Sequence, residues 1–212
     1  MPTAVQTNSP ENILIAAATI TSELSKVRKI AREMSLGVMN AKAISSRAGE
    51  AARGFQPITD FIDEMAHEVM QLVTKISHQA LRLSRFAVRR NHIRKTLGIY
   101  QQVIQKAGDA PYSHSLDPVI AKLENDHVEY RNQLISNIRT LKSLLDDINY
   151  STRGAQVIST TSRVEASQAG EYRKSLEVVA DNLEQASEKI RLQVKNSQNR
   201  LQDVISSVMH ED

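Results

Sequence analysis

One pattern limits what this chain can fold into. Apolar and small residues recur in alternating steps of four and three for most of its length. The first run is Ile13, Ala17, Ile20, Leu24, Val27, Ala31, Met34, Val38, Ala41, Ser45 and Ala48. A second runs Ile58, Ile62, Met65, Val69, Leu72, Ile76, Gln79, Leu83, Phe86, Arg90, Ile93, Leu97, Tyr100 and Ile104, broken only at Gln79 and Arg90. A third, more polar, runs Leu123, His127, Tyr130, Leu134, Asn137, Leu141, Leu144, Ile148, Ser151, Ala155, Ile158, Ser162, Glu165 and Ala169. The fourth holds Leu176, Val179, Leu183, Ala186 and Ile190, then slips to Val194, Leu201, Val204 and Val208, which reads as a stutter. Heptad spacing of this kind puts one narrow apolar seam on each of four long helices. Such seams need little aromatic bulk, and only 4% of the 212 residues are aromatic, with no Trp. The predicted fold is all-α: an elongated antiparallel four-helix coiled-coil bundle made of two tandem helical hairpins.

Turn signals divide the seams. Residues 1–9 read as a flexible tail, with Ser9 as cap and Pro10 as the first helical residue. The first hairpin spans 10–107 and turns near 47–55, where Pro57 is tolerable because it falls in a first helical turn. Gly108, Asp109, Ala110 and Pro111 open a connector over 108–118. The second hairpin spans 119–212 and turns near 168–174, continuing the same bundle. Gly37 lies inside the first seam, where glycine costs about 1 kcal/mol relative to alanine.

Residues 40–55 read Asn-Ala-Lys-Ala-Ile-Ser-Ser-Arg-Ala-Gly-Glu-Ala-Ala-Arg-Gly-Phe. This stretch resembles the protein-contact tip of bacterial chemoreceptors, the methyl-accepting chemotaxis proteins. That tip reads roughly Leu-Asn-Ala-x-x-Glu-Ala-Ala-Arg-Ala-Gly-Glu-x-Gly-Arg-Gly-Phe. Asn40, Ala41, Arg47, Ala48, Gly49, Glu50, Arg53, Gly54 and Phe55 fit it without a gap. Ile44 stands in place of the family's Glu, Ala52 in place of a Gly, and Arg32 where the family often has Phe.

A second stretch, Val164-Glu165-Ala166-Ser167-Gln168-Ala169-Gly170-Glu171, resembles the same tip in degraded form. Thr161 replaces the family Asn, and Lys174-Ser175-Leu176 replaces Arg-Gly-Phe. Shifting the first tip by 121 residues lays Ser46, Ala48, Gly49, Glu50 and Asp60 on identical residues. Counted from the tips, the outer helices have about 39 and 38 residues and the inner ones about 56 and 52. Matched lengths predict both tips at one end, opposite the connector, in a rod roughly 80 Å long at about 1.5 Å per residue. A chemoreceptor dimer is a four-helix bundle of two hairpins. The chain could build that bundle alone, as a monomeric pseudo-dimer, or pair as a homodimer.

The resemblance implies a non-enzymatic signalling module without a cofactor. It would dock through its tip on the chemotaxis coupling adaptor and histidine kinase, and it could contact other chemoreceptors. Leu36, Met39, Asn40, Ala43, Ile44 and Arg47 would face receptor partners. Glu50, Arg53, Gly54, Phe55 and Ile58 would meet the adaptor and kinase, with Phe55 as apolar anchor and Glu50 and Arg53 at its rim. In the second tip Glu165, Gly170 and Glu171 remain. The implied location is cytoplasmic, with association to chemoreceptor arrays. The family's methylated glutamates lie farther up the rod than this chain reaches, so no adaptation methylation is expected.

Other chemistry finds little footing. Residues 13–20 form the longest apolar run near the N-terminus and include Thr19, against the about 20 residues a membrane span needs. The run follows Glu11 with no Lys or Arg before it, a poor signal peptide. Absence of Cys excludes thiolate chemistry and fits a reducing compartment. Glu64/His67 and Glu124/His127 have the Glu-x-x-His spacing of di-metal bundles, but their levels differ by roughly 50 Å along the rod, so no metal site is expected. His78, His92, His114 and His210 read as surface or seam residues.

Net charge is only +3, with a pI near 9.2. Yet Arg82, Arg85, Arg89, Arg90, Arg94 and Lys95 cluster with no acid among them. Pairing of that run with Glu124, Asp126 and Glu129 on the third helix is the favoured reading, which disfavours nucleic acid. The alternative is a structural coiled-coil protein whose basic patch binds nucleic acid or an acidic membrane surface.

Overall fold

The computed structural model describes residues 10–108 and 113–209. The expected tail, the Ser9 cap, residues 109–112 and His210 lie outside the described residues. Four long helices make the molecule: α1 (Pro10–Ala48), α2 (Phe55–Ala107), α3 (Asp117–Ser167) and α4 (Arg173–Met209). Short 3-10 turns stand at Gly49–Ala52, Ser113–Leu116 and Gly170–Tyr172, and no strand occurs among the described residues. Each helix packs on the next, and α4 closes on α1, so the four form a ring around one core. The 53 residues of α2 set a rod length of about 80 Å.

Turn chemistry follows the glycines. Gly49, Gly108 and Gly170 all adopt positive φ, 59°, 53° and 57°, a region glycine enters without steric cost. The connector is shorter than expected. The 3-10 turn Ser113–Leu116 leads into α3 at Asp117, and Pro118 falls in its first turn, where its missing N–H goes unneeded.

Cross-helix hydrogen bonds fix the register. Arg28 donates to Thr74 (2.6 Å) and Ser35 to Asp63 (2.9 Å) between α1 and α2. Between α2 and α3, Asn137 Nδ2 donates to Gln79 Oε1 at 2.6 Å, so the Gln79 break in the second seam meets a polar partner inside the bundle. Ser151 donates to Glu68 at 2.6 Å. Arg163 reaches Asp181 (2.9 Å) and Glu184 between α3 and α4, and Gln198 reaches Asp146 (2.7 Å). Ser197 donates to Glu23 at 2.8 Å and ties α4 to α1.

The first seam is buried as expected from Ile13 to Ser45, and Ala48 at its end is half-buried. The second, third and fourth differ: on α2 the core takes Ala80 and Ala87, while Gln79 and Phe86 flank it half-buried. On α3 the core takes Leu145, Thr152, Ser159 and Ala166, while Leu144, Ser151, Ile158 and Glu165 flank it half-buried. On α4 it takes Ala180 and Ser187, while Val179 and Ala186 sit on the flank. With these positions, and Ser197 buried, the fourth seam alternates four and three without a stutter. Small polar residues are tolerated inside because their hydroxyls bond the backbone: Thr152 to Ile148 O (2.9 Å), Ser162 to Ile158 O (2.6 Å), Ser159 to Ala180 O (3.2 Å).

Corrected this way, burial repeats at the 121-residue shift. Ile20 and Leu141, Leu24 and Leu145, Ala31 and Thr152, Val38 and Ser159, Val73 and Val194, and Leu83 and Val204 are buried pairs. The two hairpins therefore bury one pattern with different side chains.

Candidate functional site

The first tip is built by a clasp. Ser45 Oγ, buried in the last turns of α1, donates to Ala52 O across the turn at 2.9 Å. Gly49 supplies the positive φ between them. The N–H of Arg53 then returns to Glu50 O, and that of Gln56 to Arg53 O, both at 3.3 Å, which leads into α2. In the first turn of α2 the buried Thr59 hydroxyl donates back to Gln56 O at 2.7 Å.

Glu50 and Arg53 stand exposed at this end and pair with each other at 3.3 Å. A shallow polar cleft of about 480 Å³ opens beside them, lined by Lys42, Ser46, Gly49, Glu50, Arg53 and Asp60. Lys42 and Asp60 bridge it at 2.8 Å. The hydrogen bond to Asp60 holds the Lys42 ammonium above its ordinary pKa, against an opposing desolvation and with lesser help from the Asp60 and Asp63 charges.

Phe55 corrects the expectation of a surface anchor. It is 0% exposed and belongs to the core, as does Ile58. Phe55 precedes Ile58 by three residues, so it extends the second seam inward to the turn. Its counterpart at the 121-residue shift, Leu176, is also fully buried. Both residues brace the tips from inside and cannot touch a docked protein without unfolding the end.

The apolar surface near the tip lies on α1 instead. Leu36 (54% exposed) and Met39 (62%) project outward, with Asn40, Ala43 and Arg47 exposed and Ile44 half-buried. Steps of three and four place Leu36, Met39, Asn40, Ala43 and Arg47 along one outer face that runs into Glu50. On the second hairpin the equivalent face exposes Val157 and Val164, of which only Val164 lies in the stretch that resembles the tip.

The two tips meet. Glu165, half-buried on α3, lays its carboxylate against Gly54, and a Cβ at residue 54 would overlap it. The Gly170–Tyr172 turn also packs on α1. Gly170 and Glu171 themselves remain exposed. Gly54 therefore serves a close approach at ordinary φ, −67°, and Glu165 joins the first tip as much as its own.

No protein-family model, curated protein or solved structure matches this chain.

His67 faces Asp63, its Nδ1 donating to the backbone O (2.8 Å) and lying 3.4 Å from the carboxylate. No group of three or more acidic or imidazole side chains shaped to hold a metal occurs among the described residues. No helix among them is long and apolar enough to cross a membrane. The basic run meets α3, but Arg89 finds the Tyr130 hydroxyl (2.8 Å) and ring instead of a carboxylate, and Glu129 accepts from Gln133 (2.8 Å).

Proposed function

We propose that the chain is a chemoreceptor-like signalling module that docks through its first tip on the chemotaxis coupling adaptor and histidine kinase. One observation carries the reading. The segment that resembles the receptor tip forms a braced turn at the rod's end, with its charged residues outward. Glu50 and Arg53 supply charge-assisted hydrogen bonds on a backbone fixed by Gly49 and the Ser45 clasp. Leu36 and Met39 supply exposed apolar area about three to four turns away, suited to a neighbouring receptor hairpin. A preformed turn loses little conformational freedom on binding, which favours affinity from a small contact.

The second tip supports the first. Its Glu165 seats against Gly54, but it carries Lys174-Ser175-Leu176 in place of Arg-Gly-Phe. Docking is therefore assigned to Arg47, Glu50 and Arg53, with Phe55 and Ile58 reassigned to bracing.

The test is a titration of the full chain against purified coupling adaptor and kinase. Glu50→Lys with Arg53→Glu should weaken adaptor binding at least about tenfold, a change within the range of interface anchors, at unchanged helicity. Leu36→Asp with Met39→Asp should spare the adaptor and weaken association with receptor hairpins. Equal binding by all variants, or none by wild type, refutes tip docking.

A further inference from the structure

The α2 helix carries no Asp or Glu from residue 69 to its end at Ala107. The facing stretch of α3, residues 130–145, carries none either. The register set by Arg89–Tyr130 and Gln79–Asn137 places Arg82 and Arg85 opposite residues 133–136, so no acid of α3 stands directly across from them. Charge is divided along the whole rod. Residues 31–74 and 147–188, the tip half, hold 8 Lys/Arg against 13 Asp/Glu, and the rest of the chain holds 19 against 11.

The outward face of α2 shows how that charge is presented. Lys75, Arg82, Arg85, Arg89 and Lys95 are all exposed, in steps that keep them on one side of the helix. They span about 30 Å in a straight line. Cation–π contacts hold two of them in place, Arg82 over Phe86 and Arg89 over Tyr130, each at 5.8 Å. Leu81 (59% exposed) and Val88 (51%) stand among these cations, and Ile99 and Val103 extend the same face.

We propose that this face adsorbs on an anionic lipid bilayer, with the rod lying along the surface. A straight row of cations meets a flat anionic sheet at every member, whereas a DNA groove curves away from a rigid rod. The exposed side chains between the cations are aliphatic, suited to the headgroup boundary. Phe86, the nearest aromatic of α2, is half-buried against Tyr130, so no stacking series for bases is offered. The surface lies some 30 to 60 Å from the first tip, so adsorption and tip docking are separate activities.

The experiment is sedimentation of the full chain with vesicles of phosphatidylcholine alone or with one third phosphatidylglycerol, beside a short DNA duplex. Binding should require the anionic lipid, fall as salt is raised, and exceed binding to the duplex. Each surface cation near such a membrane is worth roughly fivefold in partition, so Lys75→Gln with Arg82→Gln and Arg85→Gln should lose on the order of 100-fold. Leu81→Gln with Val88→Gln should lose roughly tenfold at unchanged charge. All five side chains are exposed, and circular dichroism checks that helicity persists. The proposal is overturned by equal binding to neutral vesicles, by no vesicle binding, by tighter binding to the duplex, or by either variant binding like wild type.

Discussion

Phe55 shows how a right address can carry a wrong role. The tip sequence locates it, and the seam could have shown that it points inward, since it stands one heptad step before Ile58. Because it is fully buried, Phe55→Ala should cost about 3–5 kcal/mol in urea unfolding, and Leu176→Ala about 2–5 kcal/mol. Gly49 is legible as a turn residue. The seat of Glu165 on Gly54 is not, because it joins positions 111 residues apart and depends on how the hairpins dock. Lys42 adds a pH dependence. Its pKa is raised on folding, so its stabilising contribution is present at neutral pH and fades as pH climbs through the folded value, above 10.5. The gap between wild type and Lys42→Gln in urea melts should therefore hold through neutral pH and close only in that alkaline range.

Among the elements, α1 is legible almost residue for residue, and α3 and α4 are not. On α1 the positions that keep the four–three spacing from Ile13 to Ser45 are the buried ones, while Ile15, Leu36 and Met39, off that spacing, stay exposed. On α3 and α4, choosing the more apolar neighbour selects Ile158, Val179 and Ala186, while packing selects Ser159, Ala180 and Ser187, and at the Leu144–Leu145 pair apolarity offers no choice at all. A ring of four helices buries a wider face than a two-stranded coil, so hydrophobicity alone cannot choose between adjacent positions. Ser187 tests this. Its hydroxyl is buried with no hydrogen-bond partner among the described residues, and its counterpart 121 residues earlier is Ala66. Ser187→Ala should stabilise by about 1 kcal/mol in thermal or urea unfolding. Gly37 lies in the interior of α1, where an added Cβ would meet nothing within 4 Å, and Gly37→Ala should likewise gain about 1 kcal/mol.

The whole molecule is a rod. Its radius of gyration in small-angle scattering should be about 25 Å, against about 17 Å for a sphere of this length. The chain has no native Cys, so Gly54→Cys with Glu165→Cys reports on the tips cleanly. The pair should oxidise within one chain, read as a faster-migrating monomer on a non-reducing gel. A crosslinked dimer would show that hairpins are exchanged between chains.

Having both hairpins on one polypeptide changes what a substitution can do. In a bundle of two identical chains every mutation is written twice, and the molecule's stability falls on dilution. Here a change at Glu50 leaves Glu171 as it was, and the melting temperature should not move with protein concentration. One end of each pair is thus free to diverge while the other keeps its partner. Shared burial beside unlike tips, Arg53-Gly54-Phe55 against Lys174-Ser175-Leu176, is the signature such independent drift would leave.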